Sequence, residues 1–465
     1  MLLLLCPVVL LAAEPPPLPD PPVAQAEEQP LPINLATALQ LADATPLDIA
    51  LAAQRTQAAA AQLKRANALW LPHFSLGIDY TRHDGRIQDI VGVVFPTSRQ
   101  ALLAGVGPSA LFAVSEAIYA PLAARQILLA RQAEQVAVRN DTVLAVAQAF
   151  FQVQQARGEL AGAIDTLTRA DDFVRRIEGL AEGLVPPVEI HRAKSERARR
   201  RQAVELARQK WETASAELAR LLRLPPAALV VPLEPPQLRV ELLDLNQPIE
   251  QLIGLALASR PELAGQKALV EASLARLRQE KYRPLLPNVL LRGNANPNGL
   301  STGIYGGGVN DAMKHFGYRN SLDAQVFWEF QNLGLGNRAV IQERQAENQH
   351  ALLEFCRLRD RVAAEVVQAH AQARRAVARL AAAEEEVAEA VQIAQKSLEG
   401  FSQTRRIGDT ITLVFRPQEI VAAVIALDQA YRDYYAAVAE ANQGQFRLYR
   451  ALGHPKMPNL ESHKP

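Results

Sequence analysis

Leu41-Ala42-Asp43-Ala44-Thr45-Pro46-Leu47-Asp48 and Leu255-Ala256-Leu257-Ala258-Ser259-Arg260-Pro261-Glu262-Leu263 are two copies of one pattern. Each opens a helical stretch that closes in Leu-Pro before an extended run. The first closes at Leu71-Pro72-His73-Phe74-Ser75-Leu76 and the second at Leu286-Pro287-Asn288-Val289-Leu290. Pro46 pairs with Pro261 and Pro72 with Pro287 at one offset of 215 residues, with no gap needed. A duplication of this length predicts a fold of two similar halves. Two copies are too few for a solenoid, so one pseudo-symmetric fold is the reading.

Outward from these copies, each half predicts the same order of elements. In the first, helix over 34–70 is stopped by Pro72. Phe74, Leu76, Ile78 and Tyr80 then alternate with Ser75, Gly77, Asp79 and Thr81, a strand with one apolar face. Gly85, Gly92, Pro96, Gly105 and Gly107-Pro108 predict a loop, and a weaker strand is expected over 111–119. Leu122, Leu129, Val136, Val143 and Phe150 recur every seven residues, and after a slip of three Leu160, Leu167 and Val174 continue. That spacing is a coiled-coil seam. It predicts a helix over 122–182, a rod of roughly 90 Å at about 1.5 Å per residue. Gly183-Leu184-Val185-Pro186-Pro187 ends it, a return helix follows over 188–224, and prolines 225–236 form a linker.

The second half predicts helix over 249–283, a strand at 288–294, a turn-rich loop and a strand at 321–330 with Leu322, Ala324, Val326 and Trp328 on one face. A long helix over 338–405 carries Val366, Ala373, Leu380, Val387, Ala394 and Phe401 on the same seven-residue spacing. It turns at Gly408-Asp409-Thr410 and returns over 412–452. Arg223 stands where the other half has Gly453, so that helix end is expected to lack a left-handed glycine cap. The halves are bounded at 33–232 and 233–455, with a tail at 456–465.

Composition narrows the class. A net charge of +1 gives no global electrostatic case for nucleic acid. Cys6 and Cys356 suggest neither a disulfide framework nor a zinc site. Residues 1–13 have the apolar core of an export signal, with cleavage after Ala13 or as late as Ala26. No Lys or Arg precedes that core, and Leu5 is large for the position before a lipid-modified cysteine. Residues 14–32 are a proline-rich tether. No stretch has the roughly 18 apolar residues of a membrane-spanning helix. Any crossing is therefore made by strands. Four strands per chain do not close a useful barrel, but three chains would supply twelve, which points to a homotrimer.

The residues then resemble a known family, the outer-membrane factors of the TolC-like efflux family, over roughly 34–455. The resemblance rests on the duplicated helix ending in Leu-Pro, and on Val326-Phe327-Trp328-Glu329-Phe330 followed by Gly334-Leu335-Gly336-Asn337-Arg338. The two helix returns and Tyr431, Tyr434-Tyr435 and Tyr449-Arg450-Ala451-Leu452-Gly453 complete it. It implies a mainly α fold with a small β part. Internally duplicated coiled-coil helices would form an α-helical barrel, joined to a 12-stranded trimeric transmembrane β-barrel in outer-membrane lipid. It also implies a periplasmic adaptor (membrane fusion) protein and an inner-membrane transporter as partners. Members closed at the periplasmic end carry aspartates after the second return, where this chain has Val414 and Pro417. A mixed or basic constriction is therefore expected from Glu189, Arg192, Arg405, Arg406, Asp409 and Arg416, near the return glycines Gly183 and Gly408. Phe74, Ile78, Tyr80 and Trp328 are expected in the membrane barrel.

Bond-making chemistry finds no support. His350 with Glu347 or Glu354, Asp171-Asp172 and Glu384-Glu385-Glu386 read as solvated helix faces, and no cofactor is expected. The basic stretch from His191 to Lys210 lacks the interleaved aromatics of a nucleic-acid surface. It reads as a helix face or as part of the tunnel mouth, where charged rings set which ions pass. The expectation is a passive export channel. A periplasmic coiled-coil adaptor or scaffold without a pore is the rival reading.

Overall fold

The computed structural model describes residues 18–19, 30–44, 46–179, 185–294, 302–309, 315–318, 321–401, 404–407, 410–413 and 416–454. The duplication is visible in the elements. Helices α1 (Leu35–Ala44) and α2 (Leu47–Asn67) correspond to α5 (Ile249–Ser259) and α6 (Pro261–Tyr282), and the ends of α2 and α6 keep the 215-residue offset. The long helices α3 (Val114–Gly179) and α7 (Leu335–Gly400) each have 66 residues. The return helices α4 (Pro187–Leu222) and α8 (Pro417–Ala451) have 36 and 35. A break before proline separates the short helices. Arg260 is extended at φ −66°, ψ 120°, the conformation a following proline favours.

The chain divides into two units. One comprises residues 1–53, 134–263 and 358–465. Its first core joins Phe150, Phe151 and Leu160 of α3 to Trp211 and Leu218 of α4, with Val230 of the short strand β4 (Leu229–Pro232). That strand pairs in parallel with β1 (Pro30–Ile33). The second core joins Leu380 and Val387 of α7 to Leu427, Tyr431, Tyr434 and Tyr435 of α8. Leu18 of the expected tether packs against it. Gly158 and Gly162 seat the rings of Tyr435 and Tyr431, and a Cβ on either glycine would fall 2.4 or 2.7 Å from ring or Cβ carbons.

The other unit comprises residues 54–133 and 264–357. It holds a sheet of β2 (His73–Gln88), β3 (Val94–Ala113), β5 (Asn288–Asn294), β6 (Thr302–Val309), β7 (His315–Tyr318) and β8 (Ser321–Phe327). These six pieces occupy four lanes. β3 pairs with β2 on one side, and on the other with β5 through Ser109↔Arg292 and then with β6 from Val106↔Thr302. Nine residues of the sequence thus separate Arg292 from Thr302, where two separate Val106 from Ser109 on β3. Against the fourth lane the third has the same surplus, nine residues separating Asn294 from Ile304 and two separating Tyr318 from Ser321. Both neighbours run on without it, so β5 with β6 and β7 with β8 each form one interrupted strand.

The structure corrects the sequence reading here. The expected loop over 83–110 is strand except for the turn at 89–93, and residues 114–119 are the opening turns of α3, not strand. The glycines and prolines that suggested a loop sit where pairing tolerates them. Pro96 lies beyond the end of β6 and Pro108 in the two-residue gap between β5 and β6, so neither faces a ladder on that side. Pro121 lies inside α3, which therefore begins ahead of the expected residue 122. The second return is also different. Residues 404–407 and 410–413 form a hairpin, β9 and β10, and α8 starts only at Pro417.

Candidate functional site: the open sheet and the helix returns

The sheet presents two chemically distinct faces. Paired residues share a face and alternate residues return to it. On β2 the positions of Phe74, Leu76, Ile78 and Tyr80 therefore share a face with Leu102 of β3 and with Leu322, Ala324 and Val326 of β8. Ile78, Tyr80 and Val326 are exposed. Above Tyr80 the same face turns polar, with Arg82 bound to Asp84 at 2.6 Å. Tyr80 marks the change, its hydroxyl donating to Gln100 at 3.2 Å. The opposite face carries Thr81, His83, Arg99, Asp323 and Gln325. At the foot of the sheet, large side chains stand in solvent at the helix junctions. Trp70 is 50% exposed, Trp328 52%, Phe330 63% and Leu333 98%. Two β2–β3 strands of 16 and 20 residues exceed the roughly 9–11 that cross a bilayer with tilt. An apolar band flanked by aromatics, with a polar reverse face, is the surface of a transmembrane barrel strand.

Residues 38–222 match the family model described as outer membrane efflux protein. That segment of the chain is similar to the family. No curated protein sequence matches it. Among solved structures, the chain resembles the outer-membrane channel OprN, with TM-score 0.73 and 17% identity over 96% of this chain and 98% of that one. It also resembles VceC of Vibrio cholerae, with TM-score 0.70 and 17% identity over 90% and 96% of the two chains. MtrE of Neisseria gonorrhoeae, solved in an open state, gives TM-score 0.70 and 14% identity over 96% and 98%. At these identities the likeness establishes the shared fold.

The expected constriction residues fall into three groups. Glu189 and Arg192 lie in the first turns of α4, and Gln418 and Arg416 at the start of α8. Glu189 is buried, accepts from Arg192 at 2.7 Å, and takes a long contact from Gln418 at 3.5 Å. Both return helices begin on proline, where the lost N–H has no helical partner to miss. Arg416 N donates to Glu419 at 3.4 Å, closing the first turn of α8. Below them Phe173 and Phe401 meet edge to face at 5.3 Å, and Arg176 donates to the carbonyl of Leu398 near the end of α7.

Arg405 and Arg406 form the second group. Both lie in β9, opposite Thr412 and Ile411, so the register places them on opposite faces of a two-stranded hairpin. Gly183, Gly408 and Asp409 form the third group and lie outside the described residues. Of the barrel residues, Ile78 and Tyr80 share the apolar face, Phe74 is opposite Pro108, and Trp328 stands one residue past the end of β8.

The sequence reading missed two buried features. Glu196, Arg200 and Asp428 join α4 to α8, with Arg200 at 2.8 Å from Glu196 and 2.5 Å from Asp428. Arg200 was grouped with a solvated basic stretch, and its place on the four-then-three stripe Glu189, Ala193, Glu196, Arg200, Val204 was the available signal. Arg260 is also buried, reaching Glu365 at 2.7 Å and the carbonyl of Ala451 at 3.1 Å. It shares Glu262 and Glu365 with Arg450, which also reaches Asp141 at 2.6 Å. Among the described residues no group of His, Cys, Asp and Glu could hold a metal ion. No helix among the described residues is long and apolar enough to cross a membrane.

Proposed function

We propose that this chain is the outer-membrane channel of a tripartite efflux or type I secretion assembly, exporting solutes passively. Three copies would each contribute four strand lanes to one barrel, with the duplicated helices forming a periplasmic conduit. An inner-membrane transporter would supply cargo and energy, and a periplasmic adaptor would bridge the two. The carrying observation is the sheet itself. Its outer lanes have unpaired edges, its one face is apolar to Tyr80, and its foot bears exposed Trp70 and Trp328. Open edges of such long strands invite pairing with another chain, and closure removes them. The halves at 33–232 and 233–455 would then each supply half of the protomer's share, after removal of the leader 1–13.

The test is the protein mass of material extracted by detergent from outer membranes, measured by light scattering corrected for detergent. Three times the chain mass supports the shared barrel. A monomer recovered without detergent would return the chain to the scaffold class. Constriction is proposed at the helix returns, near Gly183 and Gly408. Because the β9–β10 register puts Arg405 and Arg406 on opposite faces, replacing each by Ala is expected to change ion selectivity for one of them only. Unchanged conductance and selectivity in both variants would remove that hairpin from the constriction.

A further inference from the structure

On the polar face of the sheet lies a hollow of about 740 Å³ whose lining includes His83, Arg99, Ala101, Gly307, His315 and Gly317. The register explains how residues from four lanes meet there. His83 pairs with Arg99, and Ala101 pairs with Gly307, which in turn pairs with His315. These positions therefore share one face, while Asp84 alternates to the other, as do Arg82 and Gln100, which nonetheless reach the hollow's edge. The floor is made of Ala101, Gly307 and Gly317, and a Cβ added at Gly317 would meet nothing within 4 Å. Arg99, His83 and His315 are exposed at its rim, and Arg82 and Gln100 also contribute to the lining. Arg99 is steadied by the ring of Phe95, with its guanidinium 5.8 Å from the centroid. The carboxylate of Asp84 is engaged by Arg82 and Ser98 on the opposite face. The next acidic position down the same face is Asp79, four residues from His83, or about 13 Å along the strand.

We propose that this hollow is an anion-binding subsite on the pore face of the barrel, level with the outer limit of the apolar band. It would take solutes bearing carboxylate, sulfonate or phosphate groups, and it rests on the channel reading above. Arg99 supplies a fixed charge and a fork of donors suited to such groups. The imidazoles of His83 and His315 add N–H donors from either side. The glycine floor lets the solute come close to the strands. In a three-chain barrel the subsite recurs three times around the exit, and basic rings of this kind favour anions.

Single-channel recording in planar bilayers tests it, with inorganic pyrophosphate as the probe and a KCl gradient for the reversal potential. The native protein is expected to prefer chloride to potassium and to be blocked by pyrophosphate. Arg99→Gln should raise the half-blocking concentration at least fivefold and shift the reversal potential toward cations, while Arg99→Lys retains most of the block. His83→Ala combined with His315→Ala should weaken block about twofold without changing the sign of selectivity. Pores that ignore pyrophosphate, or that behave alike with and without Arg99, overturn the subsite and leave the channel standing. Absence of pores altogether would overturn the channel reading and the subsite with it.

Discussion

The two return helices, α4 and α8, are copies of one element that have come to do different work. α4 buries eleven of its 36 residues on a single stripe and leaves Arg192, Lys194, Arg199 and Arg201 exposed. α8 buries twenty of 35, including Tyr431, Tyr434 and Tyr435, each 1% exposed. Their ends differ too. α8 is followed by Gly453 at φ +80°, whereas Arg223 after α4 takes the left-handed conformation itself, at φ +57°. Duplication preserved length and let surface and caps diverge. A helix packed on one side tolerates charge and a strained end.

The sharpest way to break the comparison is to crowd the tyrosine seats. Gly158→Ala would put a methyl 2.4 Å from a rigid, buried ring. A loss of ~3 kcal/mol is expected from chemical denaturation, and Tyr435→Ala in the same chain should recover part of it. Comparable stability in Gly158→Ala would mean that α8 has room the structure does not show.

The end of α8 gives a pH signature. Burial, with Arg450 and Arg139 alongside, lowers the His454 imidazole to about 4 against the pull of Asp141. The unfolded chain takes up this proton near pH 6.5, so it binds more protons than the folded chain between the two values. Stability from this group is full above about 6.5 and is lost as pH falls toward 4, by at most ~3 kcal/mol. His454→Gln should flatten the dependence of the melting temperature on pH across that window. An equally steep profile in the variant would assign the loss to other groups.

Two smaller effects sharpen the contrast. The Tyr431 hydroxyl donates to Asp165 at 3.0 Å, and burial first, then that carboxylate, hold the phenol well above its usual range. Tyr431→Phe should cost ~2 kcal/mol, read from denaturant midpoints. Arg223→Gly should stabilise by ~0.5 to 1 kcal/mol, since glycine removes left-handed strain but loses chain entropy. If Arg223→Gly melts lower than the native protein, the side chain contributes more than its backbone conformation costs.

Much of the fold could be read from the chain because helix periodicity is a local signal and the 215-residue offset repeats it in both halves. The pairs Pro46 with Pro261 and Pro72 with Pro287 marked helix breaks and strand starts that the structure keeps. The strands were harder. Gly105, Gly107 and Pro108 signal a loop in isolation, and only the gap between β5 and β6 shows why β3 absorbs them. The β9–β10 hairpin was missed although Gly408-Asp409 between Arg406-Ile407 and Thr410-Ile411-Thr412 is a two-residue turn signal flanked by β-branched residues. The cap after α4 shows the reverse case, where the absence of glycine did not prevent a left-handed residue. Arg200 and Arg260 illustrate the remaining limit. Charge in the sequence predicts exposure, and only the packed structure shows which cations are enclosed and paired.

The surplus of residues between β5 and β6 makes the third lane a slip joint. Register above and below it is held independently, by β3 on one side and by β8 and β7 on the other. Length can therefore be added or removed between Asn294 and Thr302 without shifting a paired residue. This makes the joint a place in the sheet where the chain can change length, or accept an inserted tag, while its paired strands stay aligned.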